Sequence, residues 1–193
     1  AATTERQTAD EETRQRLQSL GYIAGRAVEE DLHVDHTRPA PRDLIDYHEA
    51  LQTVLDRVGR GDLSGARELG ERMQREHPAI PDALILLGDI AHQQGDLPQA
   101  AAHYRAYLDR EEARTLTEGD EGDGEAEDSH LSNRYRAHYD LANVLASLGR
   151  PQEAEGHYRE TLRLIPNHVD AQVNLGLLLA EAGRLDEATA LFR

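Results

Sequence analysis

The chain has 193 residues, with 37 acidic residues against 21 cationic ones, all of them arginine, and its formal net charge at pH 7 is −16. A nucleic-acid-binding surface needs an excess of cations to neutralise phosphates, and this charge balance argues against one. The chain contains no cysteine, which excludes disulfides, thiolate metal sites and thiol nucleophiles. No apolar run approaches the roughly 18 residues of a membrane-spanning helix, so no membrane span is predicted.

Residues 1–42 are predicted to form one charged helix followed by a linker. The helix is expected over Ala9–Leu20, because acidic residues favour its first turn and Gly21 can end it. Pro39 and Pro41 place the segment that follows in the linker.

The run Glu12–Gly25, ETRQRLQSLGYIAG, overlaps the end of this helix. It resembles the segment that closes the catalytic domain of bacterial sulfatase-like proteins of the alkaline-phosphatase superfamily. The resemblance implies that this chain is the non-catalytic C-terminal arm of a hydrolase whose catalytic domain precedes residue 1. It also implies a periplasmic or other extracytoplasmic location, which nothing else in the sequence determines. A coincidental helix is the open alternative. The match is carried by Leu17, Leu20, Gly21, Tyr22 and Ile23.

The linker contains the densest histidine cluster of the chain, His33-Val34-Asp35-His36. Two imidazoles and a carboxylate are ligands that Zn²⁺ accepts, but a zinc site needs a further ligand and no H-E-x-x-H motif occurs. A solvated linker is therefore favoured, and a metal-dependent or hydrolytic module in this linker is the alternative function. No catalytic residue, metal ligand or cofactor is predicted.

From Tyr47 onward the sequence repeats with a period of 34 residues, interrupted once by a 20-residue insertion before Tyr135. The unit that begins at Tyr47 matches the repeat least well, and an unrelated helical hairpin is the alternative there. With Tyr135 as position 1, small and large apolar residues occupy positions 7, 8, 11, 15, 20, 24 and 32, and the next unit fills the same positions up to 24. In the first of these units they are Leu141, Ala142, Leu145, Gly149, Ala154, Tyr158 and Pro166. This spacing resembles the tetratricopeptide repeat, a helix–turn–helix unit whose first and second helices are called helix A and helix B.

The resemblance implies an all-α fold, an α-solenoid of helix–turn–helix repeats preceded by one helix and a linker. About four repeats are predicted within 43–193, at 47–80, 81–114, 135–168 and, truncated, 169–193. Positions 8 and 20 are small because helices A and B cross closely there. Position 15 is glycine in all four units, which suits a left-handed helix end.

An acidic insertion is predicted at 115–134, after a helix B that runs to about Arg114. Its centre, EGDEGDGEAED, has seven carboxylates and no cation, a composition that favours a mobile loop. A calcium-binding loop is the alternative. However, with Gly124 or Gly122 as its sixth residue, the first ligand would be Gly119 or Thr117, and neither fits an EF-hand.

The repeat resemblance further implies a concave groove, lined by helix A, that binds a protein or peptide. Asn143 and Asn174 stand where cochaperones of this family grip a C-terminal carboxylate, but Tyr139 stands where that clamp needs a lysine. Hydrogen bonding of both asparagines to backbone is the alternative. The candidate groove residues are Asp82, Ile85, Asp89, His92, Arg136, Tyr139, Asp140, Asn143, Asp170, Val173, Asn174 and Leu177.

The predicted function is accordingly that of a non-catalytic protein–protein interaction scaffold. The last repeat is cut within helix B at Phe192 and Arg193. Because a solenoid is normally closed by a polar capping element, self-association through this repeat is a further expectation.

Overall fold

A computed structural model describes residues 41–118 and 124–192. The described residues contain eight α-helices and no strand, which confirms the predicted all-α class. None of these helices is both long and apolar enough to cross a membrane. The helices are α1 Pro41–Gly59, α2 Leu63–Glu76, α3 Asp82–Gln93, α4 Leu97–Glu118, α5 Gly124–Ser147, α6 Pro151–Leu164, α7 Val169–Glu181 and α8 Leu185–Ala190.

Four glycines separate the two helices of each unit, as the sequence predicts. Gly61, Gly95, Gly149 and Gly183 have φ between 70° and 79°, the left-handed conformation that glycine adopts without steric cost. The residue after each glycine donates its N–H to the carbonyl five residues earlier, as Asp96 does to Ala91 at 2.9 Å. This is the Schellman closure of a helix C-terminus, and it turns the chain sharply into the next helix.

Each helix packs against the next one in the sequence, and α3 also contacts α5, the first helix of the following unit. The small residues stand at close crossings, as expected. A Cβ on Gly88 would lie 2.5 Å from the Tyr104 ring, and one on Gly176 would lie 2.5 Å from the Phe192 ring. The four alanines at position 20 are all buried: Ala66, Ala100, Ala154 and Ala188.

The buried side chains form two apolar clusters. One joins α1, α2 and α3 around Val54, Met73 and Ile90. The other runs from α3 to α8 and contains Tyr104 and Leu141. A single hairpin cannot bury its apolar face alone, and stacking makes the core continuous from unit to unit.

The segment predicted as an acidic insertion is helical at both ends. α4 continues to Glu118, beyond the predicted end near Arg114, and α5 already starts at Gly124. The Thr115 Oγ1 donates to the Glu111 carbonyl at 2.6 Å, within a continuing helix. Once packing has nucleated a helix, each added residue costs little, and Leu116 and Glu118 are good helix formers. The predicted helix end near Arg114 is therefore wrong, and the insertion expected as a mobile loop over 115–134 is helical at 115–118 and 124–134.

Residues 1–40, 119–123 and 193 lie outside the described residues. The predicted helix at Ala9–Leu20, the sulfatase-like run Glu12–Gly25 and the cluster His33–His36 all fall there. The metal-dependent or hydrolytic alternative built on that cluster stays a prediction, and the metal content of the dialysed protein tests it.

Candidate functional site

The candidate groove residues stand on three helices that each begin a repeat. α3, α5 and α7 carry four of them each, and on each helix the first and last members are linked by steps of three or four residues, which keeps the set on one side of the helix. We call the surface that these twelve residues define the helix A face.

Five members of the helix A face line one cavity of about 460 Å³, which we call the polar pocket. They come from two successive repeats, since α3 and α5 each contribute to the lining. These five are Asp89, His92, Arg136, Tyr139 and Asp140.

The other predicted groove residues are placed differently. Ile85 is only 4% exposed and belongs to the apolar core, so it presents no surface to a partner. Asp82 accepts a hydrogen bond from Asn133 Nδ2 at 3.3 Å. Val173 and Leu177 are exposed on α7, outside the polar pocket. Asp170 is likewise exposed in the first turn of α7.

Four residues outside the candidate groove set complete the pocket: Gln93, Tyr104, Tyr135 and His168. Sequence reasoning gave no binding role to the last three. Tyr104 lies on α4, a second helix of its repeat, and His168 caps the N-terminus of α7, where its Nδ1 accepts from the N–H of Ala171. The sequence did contain a signal for Tyr104: in two repeats, a tyrosine stands 15 residues after the polar residue at position 9.

The aspartates of the pocket share one arginine. The Tyr104 hydroxyl donates to Asp89 Oδ1 at 2.8 Å, and Arg136 Nη2 pairs with Asp89 Oδ2. Arg136 Nε lies 3.5 Å from Asp140 Oδ2, which is at the limit of a hydrogen bond. The pKa of Asp140 is raised to about 6, mainly by burial and to a smaller extent by the negative charge of Asp89. Burial also raises the pKa of Tyr104, which keeps this hydroxyl a donor.

Aromatic rings stand beside these charges. The centroids of Tyr139 and His168 are 4.7 Å apart at an interplanar angle of 35°, and Tyr135 meets His168 edge-on at 5.7 Å. Together they give the pocket a partly apolar wall next to two carboxylates.

The two candidate clamp asparagines bond to side chains rather than to backbone. Asn143 Oδ1 accepts from the Tyr158 hydroxyl at 2.6 Å and from Asn174 Nδ2 at 3.0 Å. Asn174 Nδ2 also lies 3.4 Å from the Tyr139 hydroxyl. The pair thus ties α5 to α7, and the Asn143 oxygen is already engaged twice.

Among the described residues, no group of three or more histidine, cysteine, aspartate or glutamate side chains could hold a metal ion. The polar pocket offers charge, hydrogen bonds and aromatic surface.

Comparison with curated proteins finds short matches. The protein O-mannosyl-transferase TMTC1 of Mus musculus is 46% identical over 55 residues, which are 27% of this chain and 6% of that protein. The Homo sapiens protein of the same name is 46% identical over 48 residues, 25% of this chain and 5% of that protein. The chain thus spans a small fraction of these curated relatives.

Comparison with solved structures finds the same fold over most of the chain. A tetratricopeptide repeat protein from Parabacteroides merdae superposes with a TM-score of 0.60 at 25% identity, covering 76% of this chain and 50% of that one. YrrB, described as a TPR protein with an unusual peptide-binding site, superposes with a TM-score of 0.57 at 19% identity, covering 74% and 63%.

The family comparison agrees with the structure. The tetratricopeptide repeat model matches residues 51–114, 125–169 and 139–193, which together exceed half of the chain. The left-handed glycines, the small residues at the crossings and the stacked helix pairs are the features on which this repeat depends. The chain belongs to the tetratricopeptide repeat family.

Proposed function

We propose that this chain is a protein–protein interaction scaffold that binds a peptide, or an extended segment of a partner protein, on its helix A face. The observation that supports this most is the polar pocket, whose walls come from two successive repeats. A segment lying along the face would contact side chains of α3, α5 and α7 in turn. Stacked helical repeats commonly present such extended binding surfaces, and YrrB is a precedent for peptide binding by this fold.

Peptides selected from a random phage-displayed library against the chain test this proposal. Leu177→Arg places a long charged side chain at an exposed position of the helix A face. Ala102→Arg makes the same change at an exposed position of α4 and is the matched control. We expect Leu177→Arg to weaken the selected peptides about tenfold or more, which is about 1.4 kcal/mol, and Ala102→Arg to leave their Kd unchanged. Equal affinities for the two variants would reject the helix A face as the binding surface.

We further propose that the repeat array is carried by a sulfatase-like hydrolase. The support is the resemblance of the run Glu12–Gly25 alone. The sulfatase motif C/S-x-P-x-R is not met by Arg38–Arg42, so the catalytic domain would precede residue 1 and the array would be extracytoplasmic. The gene sequence upstream of Ala1 and an arylsulfatase assay of the whole gene product test this. An upstream sequence without the motif would reject the proposal.

Self-association through the last repeat is the third part of the proposal. Leu185 and Phe192 expose 62% and 60% of their surfaces there, and water disfavours such apolar area. Sedimentation equilibrium of the chain should then detect a dimer that Phe192→Glu dissociates. A monomer at high micromolar concentration would contradict it.

A further inference from the structure

The helix A face has a pronounced charge imbalance. Among its twelve residues, Arg136 is the single arginine or lysine, whereas four are aspartates: Asp82, Asp89, Asp140 and Asp170. The whole chain has the same sign of imbalance, at −16. A partner segment that lies along this face therefore meets a negative potential, which favours a positively charged segment.

Within the polar pocket, the negative charge is incompletely compensated. The side chains of Asp89 and Asp140 are 23% and 26% exposed, so both carboxylates have lost much of their water. Arg136 is the arginine that reaches both, and its own side chain is 50% exposed. Asp89 also accepts the Tyr104 hydroxyl, whereas the ion pair of Asp140 with Arg136 is 3.5 Å long. Asp140 is therefore the carboxylate with the most to gain from a second cation.

The aromatic wall favours the same kind of ligand. The rings of Tyr135 and Tyr139 each lie against His168, and all three residues line the cavity that contains the two carboxylates. A guanidinium or ammonium group is attracted to the faces of aromatic rings, and more strongly where water is displaced. An anion would instead face two carboxylates, with Arg136 already engaged by both.

We propose that the polar pocket binds the guanidinium or ammonium group of an arginine or lysine in the partner segment, with Asp140 as its principal ion-pair partner. This assignment rests on the proposed function, since it names what the helix A face recognises. The ligand group pairs with Asp140 and stacks on the tyrosine rings. Arg136 stays on Asp89 and keeps the remaining charge of the pocket neutralised.

The test is a titration followed by ¹H–¹⁵N NMR spectra of the whole chain with two probes of matched shape. N-acetyl-arginine methylamide carries the guanidinium, and N-acetyl-citrulline methylamide replaces it with a neutral urea group. We expect the arginine probe to shift amide signals of residues that line the pocket, and the citrulline probe to bind at least tenfold more weakly. Equal binding of the two probes, shifts confined to another surface, or no saturable shift by the arginine probe would each overturn the assignment.

Three variants assign the interaction to its residues. Asp140→Asn removes the charge with little change in shape and is expected to weaken the arginine probe tenfold or more. Tyr135→Leu removes an aromatic ring without changing charge and is expected to weaken it several-fold, which keeps a test available should the first variant fail to fold. Asp109→Asn removes an exposed carboxylate from α4, outside the pocket and outside the helix A face, and is expected to leave binding unchanged. Similar losses in Asp140→Asn and Asp109→Asn would mean that general charge attraction, not the pocket, binds the probe.

Two further results separate this assignment from the proposed function. If selected peptides bind the helix A face but show no enrichment of arginine or lysine, the scaffold stands and the cation site is rejected. If no peptide binds that face at all, the scaffold itself is rejected, whatever the small probe does. A final titration uses spermidine, a free polyamine. If spermidine binds the pocket far more tightly than any arginine-containing peptide does, a peptide side chain is rejected as the ligand.

Discussion

Two glycines at equivalent positions of the repeat are expected to respond oppositely to the same substitution. A Cβ on Gly88 would lie 2.5 Å from Cε1 of Tyr104 and 2.8 Å from Cδ1 and Cζ. A Cβ on Gly176 would lie 2.5 Å from Cζ of Phe192. Both distances are about 1 Å shorter than normal carbon–carbon contact. The outcome therefore depends on whether each ring can move.

The two rings differ in that freedom. Tyr104 is 1% exposed and its hydroxyl is bonded to Asp89, so its ring is held in place. Phe192 is 60% exposed and can rotate toward solvent. Replacing a glycine by alanine within a helix gains about 1 kcal/mol, whereas overpacking a tight core costs about 1–3 kcal/mol. Gly88→Ala should therefore destabilise the chain by about 1 kcal/mol net, and Gly176→Ala should be neutral or stabilising by up to about 1 kcal/mol.

Thermal unfolding followed by circular dichroism at 222 nm measures the difference. For a chain of this size, 1 kcal/mol shifts the Tm by about 2–4 °C, so the two variants should melt several degrees apart with Gly176→Ala the higher. Because repeats can unfold in part, hydrogen exchange of the α3 amides should locate the loss in Gly88→Ala. A Gly88→Ala variant that melts at or above the wild type would refute the argument that Tyr104 closes this crossing.

Three further predictions concern the third repeat. Ala154 is fully buried at the α5–α6 crossing, so Ala154→Leu should cost about 1–3 kcal/mol, and an unchanged Tm would show that the repeat register is misplaced. Tyr158→Phe removes the hydroxyl that donates to Asn143 Oδ1 and should lower the free energy of unfolding in urea by about 1 kcal/mol. An unchanged free energy of unfolding would count against a structural role for this bond. His138 and His157 face each other with Nδ1 atoms 3.0 Å apart, and burial together with the neighbouring imidazole lowers the pKa of His138 to about 4. Since the unfolded chain binds this proton near pH 6.5, the stability that neutral His138 provides is complete above that pH and falls as the pH drops toward 4. The wild type should then lose roughly 2 kcal/mol more than His138→Gln between pH 7 and pH 5, and equal losses would contradict the assignment.

The repeat register was readable from the sequence because it depends on local and periodic constraints. A helix end in the left-handed conformation needs glycine, and Gly61 and Gly95 have that conformation. A close helix crossing needs a residue without a large side chain, and Gly88 and Ala154 stand at such crossings. These requirements act within one hairpin and recur every 34 residues, so the spacing alone predicts the all-α repeat fold.

The candidate site was readable only in part. The helix period predicts Asp89, Arg136 and Asp140 on one surface, and all three line the polar pocket. The same rule included Ile85, although the stacking of neighbouring helices buries it in the core. The helix period also left out His168, because this residue lies in the turn between α6 and α7 and reaches the polar pocket only through the tertiary structure.

The sequence by itself therefore determined the repeat, its helix ends and its close crossings, because each depends on the size or backbone freedom of single residues at a fixed spacing. Only the tertiary structure decided which side chains meet across repeats. The Arg136–Asp89 pairing and the Asn174–Asn143 bond join residues 47 and 31 positions apart, in different repeats. Such contacts are set by the distance and rotation between stacked helices, which no local pattern encodes.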